Sequence, residues 1–168
     1  VGLANFAELL TADTVFWKAV ANTALFTIVA IVAAVLGGLL LALCLFSGAP
    51  MAKLMRVVWF TPVLMSYVVV GIIWVWIYDY DWGLANAILR WLGLGAFEQS
   101  WLGDPRVALW SVMLTHVWKW LGFNMIIFLA ALYALPAEVL GAAELDNCGW
   151  LAKLVYIIIP MLRPTIVN

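Results

Sequence analysis

Charge is what this sequence has least of. Of its 168 residues, 10% are Asp, Glu, Lys or Arg, 68% are apolar, and the mean hydropathy is +1.12. A soluble domain carries about a quarter of its residues as charges. A surface this poor in charge excludes an ordinary water-soluble protein and points to a polytopic membrane protein. Histidine occurs once and cysteine twice, at Cys44 and Cys148, with no spaced motif. That excludes a zinc cluster built from this chain alone and reads as two free thiols. The net charge of −1 gives nucleic-acid binding no electrostatic support. Phosphate-binding Gly-x-x-x-x-Gly-Lys-Ser/Thr is missing, as are Gly-x-Ser-x-Gly, His-Glu-x-x-His and Cys-x-x-Cys. No catalytic residue, metal ligand or cofactor site is assigned, and an enzyme is not expected.

What is present is oil and tryptophan. The 11 tryptophans suit a chain with two membrane interfaces, where indole rings settle at headgroup level. Residues 1–18 read as a short interfacial helix and a turn, with Trp17 and Lys18 at the water boundary. From Ala19 to Gly48 there is no charge, ample length at 1.5 Å per residue for a bilayer core of about 30 Å. The spans are expected at about 19–46, 57–78 and 107–135. Gly37-Gly38 in the first either admits a close neighbouring helix or is ordinary membrane-helix glycine. The link over 47–56 carries Lys53 and Arg56 and no acid, which places it inside. Pro62 lies in the first turns of the second span and either bends it or marks its start. The outer segment, 79–106, holds an amphipathic helix with Leu84, Ile88, Trp91 and Leu92 on one stripe. Asp104-Pro105 reads as a helix start, with the Asp as N-cap. Alternation then puts 136–163 inside. The fold class is all-α.

Two stretches stand out. In the third span, His116, Lys119, Trp120, Phe123, Asn124 and Ile127 recur at spacings of three and four and form one stripe. A charge in lipid costs roughly 2.5–3.5 kcal/mol, so Lys119 should face protein or water. Aromatic plates beside hydrogen-bonding groups suit a sugar, and His116, Trp120, Phe123 and Asn124 are the candidate substrate-path residues. The alternative is that Lys119 and His116 pair with a neighbouring helix and the aromatics pack. The second stretch, Pro136 to Pro164, reads PAEVLGAAELDNCGWLAKLVYIIIPMLRP. It predicts a short helix, a turn at Asn147–Gly149 and a second amphipathic run. Val139, Leu140, Ala143 and Leu145 give it an apolar face, and Glu138, Glu144 and Asp146 interrupt the oil. A polar helix–turn–helix between spans is too large for a connector and reads as a docking surface.

This stretch resembles the cytoplasmic loop of binding-protein-dependent ABC import permeases, which runs Glu-Ala-Ala, three residues, Gly, about nine residues, then an aliphatic residue, Leu and Pro. Ala142, Ala143, Asp146 and Pro160 fall in place, while Gly141 stands for the family's Glu and Asn147 for its Gly. The resemblance extends through Asn22-Thr23, Phe60-Thr61-Pro62, Val69-Val70-Gly71 with Trp74, Trp101 to Pro105, Trp118-Lys119 and Phe128-Leu129-Ala130, and is closest to the carbohydrate-importing branch. It implies a permease subunit of the bacterial or archaeal cytoplasmic (inner) membrane. Its implied partners are a cytoplasmic ATPase dimer that binds ATP and Mg, a second permease subunit, an extracytoplasmic solute-binding protein and membrane lipid. It also implies that the ATPase contact involves Glu138, Gly141, Ala142, Ala143, Glu144, Asp146, Asn147 and Pro160. The chain opens at Val1 and stops at Asn168, and the resemblance implies one further span before it and two after it. Two rivals are kept. One is an ABC permease for another solute, such as glycerol-phosphate, a polyamine or an amino acid, for which Lys119 and His116 become counter-charges if the solute is anionic. The other is a membrane scaffold or receptor subunit that transports nothing.

Overall fold

The computed structural model describes all residues except Val1, Ala49, Asn147 and Asn168, with the side chains of Ala4, Glu144, Ile166 and Val167 also outside the description. Among the described residues every regular element is helical: α1 (Ala4–Thr11), α2 (Thr14–Phe46), α3 (Ala52–Leu64), α4 (Tyr67–Ile77), α5 (Leu84–Trp91), a 3₁₀ turn (Gly95–Phe97), α6 (Ala108–Tyr133), α7 (Ala137–Leu145), α8 (Trp150–Lys153), a π-helical turn (Leu154–Ile158) and α9 (Ile159–Val167). Helices α2 and α6 are each long and apolar enough to cross a bilayer, whereas α3 and α4 reach that length only as a pair.

Two helix boundaries differ from the sequence expectation and a third agrees with it. The helix that carries the first expected span starts ahead of it, at Thr14, because the Asp13 carboxylate accepts from the Val15 and Phe16 amides at 2.8 and 3.0 Å and caps α2. The second span is broken at Met65–Ser66. Pro62, inside α3, removes one amide donor from the last turn, and the Ser66 hydroxyl caps a new helix by accepting from Val69 N at 3.3 Å. Asp104 caps the turn that leads into α6, as expected, its carbonyl accepting from Val107 N at 3.1 Å and Ala108 N at 2.9 Å. Its carboxylate accepts from Arg106 N, two residues on, at 2.9 Å and from the Arg106 guanidinium at 3.0 and 3.2 Å. Those bonds from Arg106 hold the Asp104 carboxyl below its ordinary pKa.

The chain divides into two compact units. The first comprises Val1–Val32 and Ser66–Val117. Its centre is a polar knot: fully buried Asn86 donates to the Tyr80 and Gln99 carbonyls at 3.0 and 3.2 Å and accepts from Trp101 Nε1 at 2.8 Å. The Ser111 hydroxyl donates to the Trp101 carbonyl at 2.8 Å, and Tyr78 donates to the Ser111 carbonyl at 3.0 Å. The segment 79–106 is therefore held by hydrogen bonds, while the apolar stripe of α5, Leu84, Ile88 and Trp91, stays exposed.

The second unit comprises Ala33–Met65 and Trp118–Asn168. Its apolar core joins Leu39, Ala42, Leu43 and Leu45 of α2 to Met125, Phe128, Leu129 and Leu132 of α6, with Ile158 and Leu162 from the C-terminal helical stretch. Glycine sets how closely these helices approach. A Cβ at Gly122 would run into the Trp59 carbonyl, and one at Gly38 into Asn124. The Gly37-Gly38 pair thus serves a close helix contact rather than being incidental.

Candidate functional site

The helix α7 is built from the Pro136 carbonyl outward, which accepts from Val139 N at 3.2 Å and Leu140 N at 3.4 Å. It closes with Cys148 N donating to the Ala143 carbonyl at 2.9 Å, the six-residue bond of a Schellman-type helix end. The expected turn residue Asn147 lies outside the described residues, as does the Glu144 side chain. Leu140 packs against the second unit's core and Ala143 is buried beside it, three residues along the same face. Glu138, Val139, Ala142, Leu145 and Asp146 form the opposite, exposed face, with Leu145 87% exposed. The single apolar face expected from the sequence is in fact two. Leu140 and Ala143 anchor the helix to its own chain, while Val139, Ala142 and Leu145 offer an apolar strip flanked by Glu138 and Asp146. At Gly141 a Cβ would meet nothing within 4 Å, so the position accepts a side chain.

Behind α7 lies a 340 Å³ recess lined by Phe46, Ser47, Gly48, Leu140, Trp150, Lys153 and Ile158. The helical stretch after it changes pitch over Leu154–Ile158, one turn before Pro160. Proline lacks an amide donor and its ring collides with the carbonyl four residues back, here Tyr156, so a widened turn relieves the clash. Pro160 is thus a helix interior residue, preceded by its own accommodation.

The stripe residues of α6 each meet neighbours in their own unit. His116 belongs to the first unit, where its ring meets Phe26 edge-on at 5.2 Å. In the second unit Trp120 and Phe123 form an edge-to-face pair at 5.6 Å, with Phe123 41% exposed. The Asn124 amide donates to the Trp120 carbonyl of its own helix at 3.1 Å while its Cβ lies against Gly38. Lys119 is 4% exposed, and its ammonium donates to the carbonyls of Pro62, Val63 and Met65 at 3.1, 3.3 and 2.7 Å. The carbonyls at a helix end lack intrahelical partners and carry the negative end of the helix dipole. Lys119 therefore closes the end of α3 at the break, which is the helix-pairing alternative stated for it above. The sequence carried a signal for this in a lone cation amid a span, but none for which backbone it would reach.

A second cation was not singled out as a site residue. Arg56, in the first turns of α3, donates from Nη2 to the Tyr133 hydroxyl at 2.8 Å and lies 5.7 Å from the centre of that ring. No group of three or more His, Cys, Asp or Glu side chains that could hold a metal occurs among the described residues.

Long apolar helices, one of them broken, with a short two-faced helix outside the spans, define an all-helical polytopic membrane protein. Residues 34–168 match the family described as "binding-protein-dependent transport system inner membrane component", and the chain belongs to that family. It is 31% identical over 99% of its length to a probable ABC transporter permease protein of Pyrococcus horikoshii, and 31% identical over 99% to a diacetylchitobiose uptake system permease protein of Streptomyces coelicolor. It covers 57% and 50% of those two proteins, so it spans about half the length of the curated relatives it matches. Its fold also matches a chain of a bacterial alginate ABC transporter, solved in complex with an alginate pentasaccharide-bound periplasmic protein. That match has a TM-score of 0.88 at 24% identity and covers 99% of this chain and 57% of that one. The chain is an integral membrane protein of that family.

Proposed function

We propose that the chain forms part of one transmembrane subunit of an ATP-driven importer for a sugar or sugar derivative in the cytoplasmic membrane. The named solutes of its relatives, diacetylchitobiose among them, support the sugar reading. The observation that carries the docking half is the two-faced α7: a helix anchored by Leu140 and Ala143 yet presenting exposed Leu145 beside two acids has the form of a lever gripped at one side. A cytoplasmic ATPase dimer, which would hold ATP and Mg, seats the Val139–Ala142–Leu145 strip in a groove, a helix-in-groove contact. Closure of that dimer moves α7 as a rigid piece and switches the spans between outward- and inward-facing states. A solute-binding protein delivers from outside, and a second permease subunit completes the path.

For the solute, Trp120 and Phe123 supply aromatic surface, and His116 and Asn124 supply polar contacts. Lys119, spent on helix-end carbonyls, is left out as a counter-charge, which favours a neutral solute over the anionic rivals.

The docking reading is tested by single cysteines in the intact transporter. A cysteine at Leu145 should crosslink to the ATPase, with a yield that changes between nucleotide-free and ATP-bound conditions. A cysteine at buried Ala143 should crosslink far less. No crosslink from position 145 or 142 under any nucleotide condition removes the proposal.

A further inference from the structure

Arg56 stands at the head of an apolar groove that none of the above uses. The groove holds 250 Å³ and is lined by Arg56, Val57, Phe60, Thr61, Leu64 and Ile126, all within the second unit. Positions 56, 57, 60, 61 and 64 share one face of α3, so the groove follows that helix for about 12 Å. Its only hydroxyl, on Thr61, is turned inward and donates to the Val57 carbonyl at 2.7 Å. The guanidinium is held in place by Tyr133, yet its Nε is buried with no hydrogen-bond acceptor. Lys53, exposed one turn earlier, adds charge on the same side and no acid lies in the link.

We propose that this groove binds an anionic glycerophospholipid, with its phosphate on Arg56 and one acyl chain along Val57, Phe60, Leu64 and Ile126. Three features select lipid over a second protein helix. The rim holds no Gly, Ala or Ser, the small residues that bring membrane helices into close contact, as Gly38 and Gly122 do elsewhere in this unit. The cation sits at one end of the groove, as a headgroup sits at one end of a chain. The basic link is on the side where anionic headgroups attract such clusters. A phosphate would accept charge-assisted hydrogen bonds from the guanidinium's outward-facing donors. The inference rests on the inside placement of the Lys53–Arg56 link and is independent of which solute is carried.

The test uses the intact transporter in nanodiscs of phosphatidylcholine with a minor fraction of phosphatidylglycerol. Phosphatidylglycerol co-purified after detergent extraction is counted by mass spectrometry. The wild-type protein should retain it selectively, and Arg56→Gln should lose about fivefold, the factor expected for one basic side chain at an anionic surface. Arg56→Lys should restore most of the binding, and millimolar inorganic phosphate should not compete. If Arg56→Gln fails to assemble, a photoreactive side chain at Leu64 in otherwise wild-type protein decides: it should label lipid. Equal retention in wild type and Arg56→Gln, displacement by phosphate alone, or labelling of a protein subunit from position 64 each overturns the proposal.

Discussion

Lys119 shows how a residue picked out for one reason serves another. A cation in mid-span demands explanation, and a solute counter-charge was one available answer. Its three bonds to Pro62, Val63 and Met65 carbonyls give a different one. Lys119→Met should leave those acceptors without their donor and lower the unfolding stability of the detergent-solubilised transporter by about 2–4 kcal/mol. Uptake should fall in proportion to the folded fraction, read by fluorescence-detected thermal unfolding beside transport. A large loss of uptake at unchanged stability would return Lys119 to the solute path. The sequence made this residue conspicuous because its chemistry is out of place. It did not reveal Asn86, whose surroundings are spelled by side chains and carbonyls from Tyr80 to Trp101 that converge only once the segment folds. An asparagine in a polar stretch looks like surface until its neighbours close over it.

Elements were legible in existence and less so in their ends and faces. The apolar lengths of α2 and α6 announced themselves, since lipid demands them. The break at Met65–Ser66 did not, because the proline that weakens the helix lies one turn before the point where it ends. The face of α7 was misjudged for a related reason: a nine-residue helix with four small residues, Ala137, Gly141, Ala142 and Ala143, has too weak a pattern to say which side packs. Glycines give the sharpest test at this scale. Gly122→Ala should force α3 and α6 apart at Trp59 and destabilise by several kcal/mol, as overpacking of a close contact does, about 1–3 kcal/mol or more. Gly141→Ala meets open space in a helix and should stabilise α7 by about 0.5–1 kcal/mol. Both are read from thermal unfolding of the purified assembly. The opposite ordering would mean that the approach of the two helices is not what the glycine secures.

At the scale of the whole molecule the expected fold class held: an all-helical membrane fold, matched by chains of a solved ABC transporter. Pattern and composition sufficed there because the bilayer leaves few alternatives. Much of the chain's apolar side-chain surface remains uncovered, including Val68, Ile72, Val75, Leu114 and Tyr156. Residues 1–168 expressed without partner subunits should therefore be membrane-bound but short-lived, and co-expression of the full assembly should lengthen their half-life severalfold in a pulse-chase experiment. Equal persistence alone and in company would mean that lipid is a sufficient neighbour for these faces.

The widened turn at Leu154–Ile158 carries a mechanical consequence. A π turn holds one residue more than an α turn, so it absorbs a surplus residue while the helix on either side keeps its phase. Excising a single residue there should rewind the stretch to ordinary pitch with little rotation of Trp150 and Lys153 about the recess beside Leu140. What would be lost is the room made for the Pro160 ring. The supernumerary residue acts as slack in a cable: it lets a rigid ring pass without turning what lies beyond it.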